Sequence, residues 1–160
     1  MTVRRLVQRL GLAVLLVACA AGCSGLKPYP NDLASKNLTI RTAASASSVL
    51  SSVRVELDVH SVDASCSMRY LGTLQLDQQS LAVGIAPERG SVLTFHFLSA
   101  NFLGSSRGRI SRQLFITPRP EQRYEIDVTY RDDLYDVVLR ERLRDGAARE
   151  VLAVDPRACR

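Results

Sequence analysis

The sequence predicts an all-β domain, an antiparallel β-sandwich of about seven or eight short strands, preceded by a helical signal peptide and a flexible tether. Two stretches, 53–60 and 124–131, alternate apolar and polar residues with period two, as strands with one buried face do. Turn-forming residues separate the apolar runs about every 8–15 residues. No stretch combines a helical apolar period with caps at both ends. These features are typical of a two-sheet antiparallel fold.

The N-terminus has the pattern of an exported precursor. Residues 1–9 contain three arginines and no acid, and the next 12 residues, 10–21, are apolar or small. A transmembrane helix needs ~20 apolar residues, so this stretch is too short to be a permanent anchor. We therefore expect residues 1–22 to be a cleaved signal peptide.

Two cysteines near the end of this signal resemble the lipidated cysteine of the bacterial lipobox. Cys23 is the preferred site, because cleavage there leaves the longer apolar region and leaves an even pair of cysteines downstream. Cys19 is the alternative, as is ordinary cleavage near Ala21 without lipidation. The resemblance implies attachment to a membrane by acyl chains. Ser24, in place of an aspartate, then implies the inner leaflet of the outer membrane, facing the periplasm.

Two segments follow the signal. Residues 23–36 include two prolines and a glycine, so they are expected to be a lipidated tether. Residues 37–160 are long enough for one domain. Three of the 21 basic residues lie in the signal, which leaves 18 against 16 acidic ones. This small excess does not indicate a nucleic-acid partner.

The strands are predicted from alternation and from the turns that bound them. In order, they are 37–42, 53–60, 66–76, 81–85, 91–98, 109–117 and 124–130. The third of these is expected to place Met68, Tyr70, Leu74 and Leu76 on one face. Gly72 interrupts it and indicates a bulge or a close backbone approach. Residues 134–144 fit either a strand or a helix, and Asp145-Gly146 favours a strand pair.

Three short segments resemble PEGA-type β-sandwich domains. They are the glycine-leucine hairpin Tyr70–Leu74, the turn Pro87–Gly90 and the tyrosine strand Arg123–Ile126. In this chain Glu88 and Arg89 separate the proline and glycine of that turn. The resemblance implies a binding or envelope-structure module, with no catalytic residues to carry over.

Cys66 and Cys159 are predicted to form a disulfide. Two otherwise unpaired cysteines usually bridge in an oxidising compartment. A crosslink over 93 residues stabilises by up to about 4–5 kcal/mol on chain-entropy estimates. The alternative is two free thiols.

Catalytic and metal motifs are not found in the sequence. His60 and His96 have no partner at ligand spacing, so no metal and no cofactor is expected. The serines lie in no GxSxG or SxxK motif. The remaining candidate is a run without acidic residues between Arg89 and Glu121, because arginine binds carboxylates and phosphates bidentately. The candidate anion-binding residues in this run are Arg107, Arg109, Arg112 and Arg119.

The sequence thus favours a non-enzymatic, lipid-anchored cell-envelope protein that acts as a binding or structural module. Its expected partners are the membrane, through the lipid anchor, and an envelope protein or an anionic envelope component. One alternative is a periplasmic hydrolase that uses serine or aspartate with His60 or His96. Another is an accessory subunit of an envelope or secretion assembly.

Overall fold

The computed structural model describes residues 26–46, 51–101, 107–131, 134–143 and 146–151. The predicted signal peptide, Cys19, Cys23 and Cys159 lie outside these ranges. The described residues form nine strands: β1 Leu38–Ala44, β2 Ser51–Val62, β3 Met68–Gln75, β4 Ser80–Val83, β5 Gly90–Asn101, β6 Arg107–Ile116, β7 Arg123–Arg131, β8 Leu134–Arg142 and β9 Ala148–Glu150. The prediction of an all-β fold is confirmed, with more strands than expected.

The strands form two sheets around one core. One sheet has the order β4-β1-β7-β8-β9 and the other β3-β2-β5-β6. Leu57 and Ile126, which the period-two alternation places inward, are 0% exposed, as are Phe95 in the four-stranded sheet and Ile40 in the five-stranded sheet. All four belong to a single hydrophobic cluster, so the apolar faces of the two sheets supply the same core.

β1 corrects the prediction that all strands would pair antiparallel. It lies between β4, which is antiparallel to it, and β7, which runs parallel to it with Ile40 beside Ile126. Alternation specifies which face of a strand is buried, but it does not specify the direction of the neighbouring strand. The parallel pair therefore had no signal in the sequence.

A β-bulge in β3 corrects the predicted face of two residues. Met68 and Tyr70 were expected on the same side as Leu74. In the structure Gly72 pairs with Val59 and Tyr70 with the next residue of β2, so one extra residue interrupts the register. A one-residue insertion moves the preceding side chains to the other face, and Met68 is consequently 59% exposed. The bulge predicted at the glycine is confirmed.

The segment Lys27–Asn37, here called the N-terminal strap, differs from the flexible tether expected for it. The N–H of Thr73 in β3 donates to Lys27 O (2.8 Å), and the N–H of Tyr29 donates to Thr73 O (3.0 Å). Tyr29 also donates its hydroxyl to Gly84 O at 2.7 Å, just after β4. The strap thus connects an edge of one sheet to an edge of the other.

Asparagine side chains extend this attachment along β4. Asn31 donates to Ala82 O and accepts the N–H of Gly84, each at 2.9 Å. Asn37 binds both the carbonyl and the N–H of Ile85 (2.8 and 2.9 Å). A segment with prolines and asparagines resembles a flexible linker in sequence. Here the side-chain amides of Asn31 and Asn37 bind backbone groups at and after β4, an edge strand whose groups would otherwise be unpaired.

The ambiguous segment near the C-terminus is a strand. β8 pairs with β7 over its whole length and with β9 on its other side. The β8–β9 turn contains Gly146 with φ of +86°, the left-handed conformation that glycine adopts readily. Within the described residues no helix is long and apolar enough to cross a bilayer.

Candidate functional site

The structure does not bring the four predicted anion-binding arginines together. Arg107, Arg109 and Arg112 lie on β6, whose ten residues extend over about 30 Å. Arg119 lies beyond the other end of that strand, where it pairs with Glu141 at 3.9 Å. Arg119 therefore belongs to a separate, charge-compensated contact, and the remaining three arginines form the candidate surface.

These three arginines project from both sides of one strand. Arg112 lies opposite Phe95, a core residue, so it projects from the inward side of β6. Arg109 lies opposite Leu98 and projects from the outward side, as Arg107 does two residues earlier. Residues 107–113 are all exposed, and among the described residues no carboxylate forms an ion pair with any of the three arginines.

β6 is also an edge strand of its sheet. We call its exposed part, Arg107–Gln113, the β6 edge. An edge strand presents a row of unpaired backbone N–H and C=O groups on the side away from its neighbour. The sequence indicated the positive charge here, but the open edge depends on strand order, which alternation does not specify.

A second polar cluster lies on the outward face of the same sheet, and sequence analysis missed it. Asp58 of β2 accepts a hydrogen bond from His96 Nε2 of β5 at 2.9 Å. Its other carboxylate oxygen accepts the hydroxyl of Thr73 from β3. Tyr70 completes the chain, with its hydroxyl 2.6 Å from the Thr73 hydroxyl. The cluster links three adjacent strands.

The donor directions in this cluster follow from the carboxylate. An ionised carboxylate only accepts hydrogen bonds, so Nε2 of His96 and the hydroxyl of Thr73 both donate to Asp58. Since the Thr73 proton is then used, Tyr70 donates to Thr73. Both Asp58 oxygens are occupied, and the side chains of Asp58 and His96 are only 22% and 11% exposed. We call this hydrogen-bonded set, Asp58, His96, Thr73 and Tyr70, the cross-strand clip.

With serine as its nucleophile, the hydrolase alternative requires a serine hydroxyl bound to a ring nitrogen of His60 or His96. Nδ1 of His60 and Nδ1 of His96 are buried and have no hydrogen-bond partner among the described residues. A serine nucleophile requires a hydroxyl within hydrogen-bond reach of such a nitrogen. Ser111 lies opposite His96 in the register, but no hydrogen bond joins them. Among the described residues, therefore, no serine hydroxyl is hydrogen-bonded to Nδ1 of His96.

The turn between β2 and β3 contains Cys66, which is disulfide-bonded. Its partner is not among the described residues, so the pairing with Cys159 stays a prediction. Asp63 organises the turn by accepting the Ser65 hydroxyl at 2.6 Å and the N–H groups of Ser67 and Ser65 at 2.9 Å. These hydrogen bonds, the Ser65 hydroxyl first, lower the pKa of Asp63.

Elsewhere, the described residues form a charged groove but no cluster of candidate metal ligands. No three His, Cys, Asp or Glu side chains there converge as candidate metal ligands. A groove of about 1290 Å³ beside the end of β1 has Arg41, Asp127 and Arg140 in its wall. Arg41 pairs with Glu125 at 3.0 Å, and Arg140 pairs with Asp127. The groove wall thus carries charges of both signs, whereas the β6 edge carries arginines alone, so the β6 edge is the better candidate for binding a partner of one charge.

Comparison with family models, curated proteins and solved structures finds no match to this chain. The resemblance to PEGA-type domains therefore stays a prediction.

Proposed function

We propose that this protein is a lipid-anchored component of the bacterial cell envelope, whose β-sandwich is a non-enzymatic binding module. Acyl chains on Cys23, with Cys19 as the alternative, attach it to the inner leaflet of the outer membrane, so that the domain faces the periplasm. The short apolar signal and the small residues before each cysteine support this proposal.

The observation that carries the proposal is the attachment of the N-terminal strap. Its first residue, Lys27, is hydrogen-bonded to Thr73 and lies only four residues after Cys23. An extended chain spans at most ~3.6 Å per residue, so Lys27 lies within about 14 Å of a lipidated Cys23. Anchoring at Cys23 thus holds the domain beside the bilayer. A module held at such short range suits a fixed position in an envelope structure better than a long-range search.

The test is metabolic labelling with an alkyne fatty acid, combined with membrane fractionation. Cys23→Ala is expected to abolish labelling and to release the mature protein into the soluble fraction. Cys19→Ala is the matched control, because it removes a cysteine of the same segment, and it is expected to retain the label. Labelling that survives Cys23→Ala but is lost in Cys19→Ala assigns the alternative cysteine. Labelling of neither parent nor variants overturns the lipid anchor.

The second candidate is a periplasmic hydrolase, in which the hydrogen bond from His96 to Asp58 would orient a catalytic base. Such an enzyme needs an activated serine close to the histidine. A fluorophosphonate probe reacts with serines of this kind. Labelling of the mature protein that disappears in His96→Asn would support the hydrolase, whereas lack of labelling at saturating probe favours the binding module.

A further inference from the structure

The β6 edge is the longest stretch of sheet edge that the described residues leave uncovered, since on β8 the uncovered part is limited to residues 134–138. The other edge of its sheet, β3, is hydrogen-bonded to the N-terminal strap through Thr73. In the second sheet, the β4 edge is covered by Asn31, and the opposite edge strand, β9, has only three residues. Short or covered edges are the usual protection against unwanted strand pairing. β6, with ten residues, has neither form of protection.

The backbone of an open edge specifies the shape of its partner. Unpaired N–H and C=O groups in a row bind another extended chain, which adds itself to the sheet as a further strand. Residues 107–113 remain exposed along this edge, and β6 pairs on its other side with β5. The complementary ligand is therefore an extended segment of up to about seven residues, the length of the exposed part.

The charge of the edge specifies the chemistry of that segment. Arg107, Arg109 and Arg112 have no carboxylate partner among the described residues, and they project from both faces of the strand. A strand added beside them brings its own side chains alongside theirs on both faces. Acidic side chains on both faces of the added strand would form cross-strand ion pairs with these arginines, so the segment should be rich in aspartate or glutamate.

The same charges disfavour a second copy of this chain as the partner. No acidic residue occurs between Arg89 and Glu121, so two β6 edges paired with one another would place arginines near arginines with no opposite charge. Like charges on neighbouring strands destabilise the pairing. The edge is therefore closed to self-association but open to an acidic strand.

We propose that the β6 edge binds an extended acidic segment of another envelope protein by strand addition. This inference rests on the binding role proposed above and names the class of partner. It does not depend on lipidation, so the acyl-labelling experiment and the binding experiment below can fail independently.

The test uses the mature chain with Cys23→Ser and a defined probe. The probe is a fluorescein-labelled peptide of about seven residues, the length of the exposed part of β6, in which pairs of threonine alternate with pairs of glutamate so that glutamates lie on both faces. The matched probe replaces glutamate with lysine. We expect the acidic peptide alone to bind, to bind more weakly in high salt, and to slow amide hydrogen exchange in β6. No binding of the acidic peptide, or equal binding of the lysine peptide, overturns the proposal.

Charge reversal at the edge tests the arginines. Arg109→Glu with Arg112→Glu is expected to weaken binding of the acidic peptide about tenfold or more. Arg69→Glu is the control, because Arg69 is an exposed arginine of β3, and it should change binding less than about twofold. Equal weakening by the control would show attraction to net charge only and would overturn the assignment to β6.

Two proline variants test the backbone hydrogen bonds. Neighbouring N–H groups of a strand point to opposite sides, so of Ile110→Pro and Ser111→Pro one removes a bond to β5 and the other removes a donor at the open edge. The variant that keeps the native melting temperature identifies the open-edge donor. We expect that variant to lose peptide binding. Full binding by a stable proline variant overturns strand addition.

Discussion

Replacing Gly72 by alanine should detach the N-terminal strap while leaving the two sheets folded. A Cβ at this position would lie 2.5 Å from Tyr29 Cα and 2.6 Å from Tyr29 N. Both are backbone atoms, and no rotamer change relieves such a contact. The backbone at Gly72 also has φ of +156°, which is unfavourable for a side chain. The strap must therefore move away from β3.

The magnitude follows from the contacts that this movement breaks. They are the two backbone hydrogen bonds between the strap and Thr73 and the hydroxyl bond from Tyr29 to Gly84. Each contributes about 1 kcal/mol, so Gly72→Ala should lower the free energy of unfolding by roughly 2–4 kcal/mol. The β2–β3 pairing and the core cluster do not include these bonds, so a cooperative transition should remain.

Urea denaturation measures the stability change, and amide hydrogen exchange locates it. Exchange at Tyr29 and Thr73 should accelerate, and trypsin should cleave after Lys36 in the folded protein. Gly146→Ala is the control, because Gly146 also has a positive φ but no atom within 4 Å of its added Cβ. It should cost about 1–2 kcal/mol from backbone strain without exposing the strap. Gly72→Ala with full protection at Tyr29 would refute the reasoning.

Three further predictions concern single side chains. Burial raises the pKa of Tyr29 above 10.0, so the contribution of the neutral hydroxyl to the free energy of unfolding is complete below pH 10 and is lost as the pH rises through the pKa of the folded protein. Tyr29→Phe should remove this loss of stability at alkaline pH, measured as the urea midpoint. An unchanged alkaline profile would contradict the assignment. Asp58→Asn replaces the acceptor of two hydrogen bonds and should cost about 1–3 kcal/mol in urea denaturation; a cost below about 0.5 kcal/mol would show that the clip with His96 contributes little. The pKa of Asp63 is lowered, so the hydrogen bonds of its carboxylate stabilise the turn fully above pH 3.8, and this stabilisation is lost as the pH falls through the pKa of the folded protein. The amide resonances of Ser65 and Ser67 should titrate together with the Asp63 carboxyl. Titration of these amides independently of Asp63 would argue against the turn.

The sequence predicted those strands and turns whose pattern is complete within a single short segment. Val53–His60 and Tyr124–Tyr130 alternate strictly, and they form β2 and β7 with the expected faces buried. Gly72 marked the bulge, because a break in a strand pattern is visible in one segment. Residues 134–144 fit either a strand or a helix, and the turn signal Asp145-Gly146 correctly favoured the strand pair β8–β9.

Features that depend on distant segments were not predictable in this way. The strap is ordered by Asn31 and Asn37, which bind backbone groups about 50 residues away. His96 meets Asp58 across 38 residues, because β2 and β5 are neighbours with a particular register. No spacing rule connects such residues. The candidate surface was predicted in part: its arginines were found, whereas the exclusion of Arg119 and the open edge depend on strand order.

The position of β1 has a consequence for the order of folding. β1 ends at Ala44 and its parallel partner β7 begins at Arg123, so the inner strands of the five-stranded sheet come from opposite ends of the domain. Contacts of such long sequence separation form slowly, because a large loop must be closed first. Until β7 is available, β1 has only β4 as a sheet partner among the described strands. For the export proposed above this delay would be useful, since a chain that completes its core late stays unfolded for longer and can pass through a secretion channel.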